Sequence, residues 1–178
     1  ANNGGRTLNA ASTDNKITGN IINNTLNDGI YIGTGSTGTV ISKNDVGVSN
    51  KSGIVVLDSK KCQVISNKVS DCRLDGIYLK NIGDTDIKSN NVTTVKRYGV
   101  QVISSQLKSL YGNTITGNGN CGLRIVQSRI SGSQQNRLRN NGSSYAVYSR
   151  NSTGSVLVRL PASARITRNT ARITGTAA

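Results

Sequence analysis

Lys61–Gly83 reads KCQVISNKVSDCRLDGIYLKNIG, and its skeleton returns along the chain. Anchored on Asn67, the same residue recurs at Asn20, Asn44, Asn67, Asn90, Asn113 and Asn136, in steps of 24, 23, 23, 23 and 23 residues. Gly keeps step at Gly29, Gly53, Gly76, Gly99 and Gly122, with Ala146 in the sixth place. A fixed period in this range signals stacked repeats, each burying its apolar face against the next. One period without a break in composition reads as a single domain.

Each copy carries the same aliphatic code. The residue two after the Asn is Ile22, Val46, Val69, Val92, Ile115 or Leu138. One after the Gly stand Ile30, Ile54, Ile77, Val100, Leu123 and Val147; three after it stand Ile32, Val56, Leu79, Val102, Ile125 and, breaking the pattern, Ser149. Alternation over three or four residues is strand spacing, so three short strands per turn, joined by polar corners, make a coil whose strands stack in parallel. At ~4.8 Å per rung, six rungs span about 29 Å. The Asn is expected to bond its own turn and its neighbours as a ladder, and the Gly to free the backbone at a corner. Residues 1–15 read as an extended lead-in, 16–155 as the coil, and 156–178 as terminal strands and a tail.

Composition removes several classes of function. There is no His, Met, Trp or Phe, and the three cysteines form no CxxC pair, which disfavours zinc and haem sites. An odd cysteine count leaves at least one thiol free, and reduced, structural cysteines are expected. No apolar stretch approaches the roughly 20 residues of a membrane helix, so membrane insertion is not expected. The charge is uneven: residues 1–86 hold nine Lys or Arg against all eight Asp, whereas residues 87–178 hold thirteen and no acid. A basic half of this kind favours a polyanionic partner.

The rungs ITGNIINNTLNDGIYI, VISNKVSDCRLDGIYL and LYGNTITGNGNCGLRI resemble the right-handed parallel β-helix repeat of the pectate-lyase-like superfamily, over about residues 16–150. The resemblance implies an all-β solenoid that meets polysaccharide along an outer face. The superfamily includes lyases, epimerases, hydrolases, phage tailspikes, adhesins and non-catalytic modules, so fold alone does not choose among them. Epimerases of this fold use a catalytic histidine and hydrolases use clustered carboxylates; this chain has no His and no Glu. A lyase needs only Lys or Arg to take a proton, often with calcium offsetting the substrate carboxylate.

The residue two after each Gly points outward and reads Tyr31, Val55, Tyr78, Gln101, Arg124, Tyr148; the residue before each Gly reads Asp28, Ser52, Asp75, Tyr98, Cys121, Tyr145. Five of the six tyrosines therefore fall on or beside one sheet. Tyr also has high β propensity, which alone would place it there. Tyrosine beside Arg nevertheless suits an acidic sugar, whose apolar face stacks and whose carboxylate takes a bidentate Arg. The candidate substrate-binding set is Asp75, Tyr78, Lys80, Tyr98, Gln101, Arg124 and Tyr148. In a lyase, Lys80 or Arg124 would be the base and Asp75 an orienting or calcium ligand, although calcium wants six to eight oxygens. No resident cofactor is expected otherwise. Arg129, Arg137, Arg139 and Arg150 extend a basic end that would bind nucleic acid only as a non-specific polyanion.

The reading that joins these features is a secreted or cell-surface β-helix module that binds acidic polysaccharide without catalysis. Its rivals are a filament subunit stacking end to end through uncapped coil ends, where strand amides lie open, and a polyuronate lyase.

Overall fold

The computed structural model describes residues 5–8, 11–142, 146–160, 166–167 and 172–177. Within them the chain is a right-handed parallel β-helix of about six rungs, all β and without a helix. The strand that follows each Gly stacks into an eight-stranded parallel sheet. Its register is that of the repeat: Ile30, Ile54, Ile77, Val100, Leu123 and Val147 form one column. That column and its partner, Ile32, Val56, Leu79, Val102 and Ile125, are fully buried. Each such side chain contributes about 1.5–3 kcal/mol of burial.

Strands before and after the ladder Asn build the other two faces. These meet at the C-terminal end in Thr153–Leu160, which pairs with Arg129–Ile130 on one face and Asn136–Arg139 on the other. Val156, Val158 and Leu160 of this strand close the core above the sixth rung, where Ser149 has replaced an aliphatic residue. Arg6–Leu8 pairs with Ile30–Ile32, Ile166–Thr167 with Val147–Tyr148, and Arg172–Ala177 with Ser155–Leu160, all in parallel. Pro161 lies outside the described residues.

The ladder saturates its asparagines. Asn67 Oδ1 accepts from both the backbone N–H of Asn44 (3.1 Å) and its Nδ2 (2.9 Å). Asn67 Nδ2 in turn donates to Asn90 Oδ1 (3.0 Å) and to the Ile41 carbonyl (2.9 Å). The same bonds repeat at Asn90 and Asn113. Every polar atom of a buried amide is thereby used, which makes the Asn obligatory at that corner.

The Gly column has another cause than conformational freedom, because none of its members has positive φ. A Cβ on Gly76 would overlap Val92 Cγ1 of the next rung and lie 2.6 Å from the Gly99 carbonyl oxygen. Gly53 and Gly99 meet the same obstruction from Val69 and Ile115. The glycine is there for close packing between rungs.

The backbone instead turns at other residues, in the left-handed region. Asn24, Val48, Asp71, Thr94 and Asn140 form one such column, continued by Gly117; Asp58, Asn81, Ser104, Gln127 and Asn151 form another, begun by Gly35. Each turns the chain sharply within one residue, which is how short strands close a coil.

Candidate functional site

The outward face of the eight-stranded sheet carries the register Tyr31, Val55, Tyr78, Gln101, Arg124, Tyr148, one residue per rung. Neighbours stand about 4.8 Å apart along the axis. The residues before the Gly run alongside as a second ladder: Ser52 N–H donates to Asp28 Oδ1 (2.8 Å), Asp75 N–H to Ser52 Oγ (3.4 Å), and Tyr98 N–H to Asp75 Oδ1 (3.2 Å). Asp75 thus has an architectural duty besides any other. Asp28 and Asp75 are separated by Ser52, and among the described residues no three His, Cys, Asp or Glu side chains converge.

Arg124 is the centre of the face. Its guanidinium carbon lies 5.2 Å from the Tyr98 ring centroid and 5.7 Å from that of Tyr148. A guanidinium over aromatic rings is attracted by their faces and still carries N–H donors that match a planar anion. Arg97, which the repeat comparison missed, lies 5.3 Å from the Tyr98 ring and brings Nε to 3.8 Å from Asp75 Oδ1. Its signal was a cation beside the odd Tyr of its column.

Burial dominates the electrostatics. Asp75, 3 % exposed, has its carboxyl pushed above the ordinary value by desolvation, against the pull of Arg97, the Tyr98 N–H and Arg124. The Tyr78 phenol is also raised, first by burial and then by the Asp75 charge. Gln101 is buried between Tyr78 and Arg124 in the register, and its Oε1 has no hydrogen-bond partner among the described residues.

The structure brings Asp75, Tyr78, Tyr98, Gln101, Arg124 and Tyr148 to one patch. Lys80 shares the Tyr78 strand but is exposed at its end, in register with Leu57 and Ile103. Tyr145 lies outside the described residues. The remaining tyrosine, Tyr111, is on another face, where its hydroxyl bonds Gln135 Oε1 (2.7 Å). Arg137 and Arg139 are exposed on either side of buried Leu138. Asp84 is an exposed corner with φ 46, whereas Asp86 is 7 % exposed and pairs with Lys88 at 3.1 Å.

All three cysteines are free and buried. Burial pushes the thiols of Cys72 and Cys121 up to about 11 and raises that of Cys62. No helix among the described residues is long and apolar enough to cross a membrane.

Comparison with known proteins places the fold. The periplasmic alginate epimerase AlgG superposes with a TM-score of 0.76 at 20 % identity, covering 93 % of this chain and 46 % of that one. The enzymatically active domain of tailspike protein 2 of bacteriophage CBA120 gives 0.72 at 15 % identity, covering 90 % and 27 %. The chain spans less than half the length of these solved structures, and at such identities the likeness is one of fold. No curated protein matches it. Residues 1–155 match the model of the family described as periplasmic copper-binding protein (NosD), and the chain belongs to that family.

Proposed function

We propose that this chain is an exported β-helix module whose Tyr78–Tyr98–Arg124–Tyr148 face binds acidic polysaccharide. The observation that carries the reading is Arg124, whose guanidinium carbon lies over both the Tyr98 and the Tyr148 ring. A uronate would lay its apolar ring face on a tyrosine and its carboxylate on the Arg124 guanidinium. The basic C-terminal half would draw the polymer in. The family's description as periplasmic agrees with export. Titration with a polyuronate hexamer tests this: binding that weakens as salt rises is expected, and absent or salt-indifferent binding contradicts it.

A second reading, action on the polyuronate as a lyase, is favoured by fold neighbours described as an epimerase and an enzymatically active tailspike domain. It predicts unsaturated uronate absorbance on incubation with the polymer, and a flat trace removes it.

The family description also names copper. The donor set here does not fit that metal: the sequence has no His or Met, and its three thiols are buried and held in the protonated form by raised pKa values. No step of the proposed function runs through copper.

A further inference from the structure

The face built from the strands after the ladder Asn treats charge differently at its two ends. Near the start, Asp45 and Lys68 are register partners and form an ion pair of 2.9 Å. Near the finish, the register partner of Arg137 is Arg159. Two like charges thus stand directly across a strand pair, about 4.8 Å apart at the backbone, an arrangement that costs stability unless something offsets it. Arg139 adds a third cation about 6.6 Å along the strand from Arg137. No acid follows Asp86 in the sequence, and among the described residues neither Arg137 nor Arg159 makes an ion pair.

The fold holds both cations outward. Leu138 is fully buried, so Arg137 and Arg139 on either side of it face out. Val158 and Leu160 are buried in the same manner and leave Arg159 exposed between them. The crossing strand is also pinned in this register. Asn136, the last residue of the ladder, donates from Nδ2 to the Leu157 carbonyl (3.3 Å), and the Leu157 N–H donates to Ser133 Oγ (3.1 Å). Sliding the strand by one residue to separate the two guanidinium groups would carry Arg159 into the core.

What the pair lacks is the counter-charge that Asp45 supplies to Lys68. A carboxylate has two acceptor oxygens and suits one guanidinium fork, whereas a phosphate group presents at least three and can bridge two forks held side by side. Thr114 is the register partner of Arg137 on the preceding rung, and Thr116 is that of Arg139; both are half-buried and add hydroxyl donors to the same face. We propose that Arg137 and Arg159, with Arg139 and Thr114 beside them, form a phosphate-binding site. It lies on a different sheet from the tyrosine face and is independent of the polysaccharide reading. The bound phosphate would neutralise the register pair as Asp45 neutralises Lys68.

The test titrates the native chain with inorganic phosphate at constant ionic strength, and separately measures its binding to vesicles of phosphatidylglycerol and of phosphatidylcholine. Saturable phosphate binding assigns the site to the free anion; capture by phosphatidylglycerol vesicles alone assigns it to a phosphate carried on a lipid headgroup. Arg137→Gln/Arg159→Gln should weaken the observed binding at least about tenfold, and Arg159→Lys should weaken it too although the charge is kept. Lys51→Gln/Lys60→Gln removes as much charge from exposed positions in the first half of the chain and should change binding less than about twofold. Arg124→Ala should leave it intact, which separates this site from the tyrosine face. Circular dichroism confirms folding of each variant. The proposal is overturned if the native chain binds neither phosphate nor phosphatidylglycerol vesicles, if Arg137→Gln/Arg159→Gln binds as the native chain does, or if the lysine variant loses as much.

Discussion

The Arg124 guanidinium stands 5.2 Å from the ring of Tyr98, a residue contributed by the rung below. With Tyr148 at 5.7 Å on the rung above, the cation lies over two rings. Replacing Tyr98 by Phe keeps the ring and should leave polyuronate affinity within about twofold, whereas Tyr98→Ala removes one support and should cost about 0.5–2 kcal/mol. Calorimetric titration of both variants distinguishes ring stacking from a requirement for the phenol hydroxyl.

Gly76 tests the packing account of the fold. Its would-be Cβ meets Val92 and the Gly99 carbonyl, so Gly76→Ala should destabilise by about 1–3 kcal/mol, as overpacking does. Ala146, half-buried in the sixth place, shows that the column relaxes towards the coil's end. Urea unfolding of Gly76→Ala reads the difference; an unchanged midpoint would mean that the rungs can move apart freely.

Val48 is a β-branched residue at φ 48, and it is 50 % exposed. Little packing is lost on replacing it, while the left-handed conformation costs roughly 1–2 kcal/mol for such a side chain. Val48→Asn, matching Asn24 and Asn140 of its own column, should therefore raise stability by about 1 kcal/mol. Thermal unfolding measures the gain.

Asp75 predicts a pH dependence. Its folded carboxyl lies above the ordinary 3.8, so the native state holds the proton more tightly than the unfolded state. Stability from this group is accordingly greatest at low pH and declines as pH rises from about 3.8 through the raised folded value. Asp75→Asn, which still accepts the Tyr98 N–H, should flatten that decline. Denaturation midpoints across the acid range would show it, and identical profiles would remove the claim that burial outweighs Arg97.

The coil was legible because its determinants are side chains that repeat: the ladder Asn, the close-packed Gly and the aliphatic columns. The corners were not, because the left-handed columns share a backbone angle and no residue type; Lys43, Ser66, Ser89 and Gln135 occupy equivalent turns. Within the tyrosine patch the outward register was readable from strand alternation. Arg97 was hidden because its place depends on which way a corner side chain folds back over Tyr98. The Gly column was visible, but its cause was not, since only the neighbouring rung shows what a Cβ would strike.

The most direct measurement is the affinity of a polyuronate hexamer for the native chain and for Arg124→Ala, side by side at low salt. A charge-assisted pair on a stacked guanidinium is worth about 1.5–3 kcal/mol, so the account predicts a loss of roughly tenfold to a hundredfold with the fold intact. Equal affinity in the two proteins would contradict it.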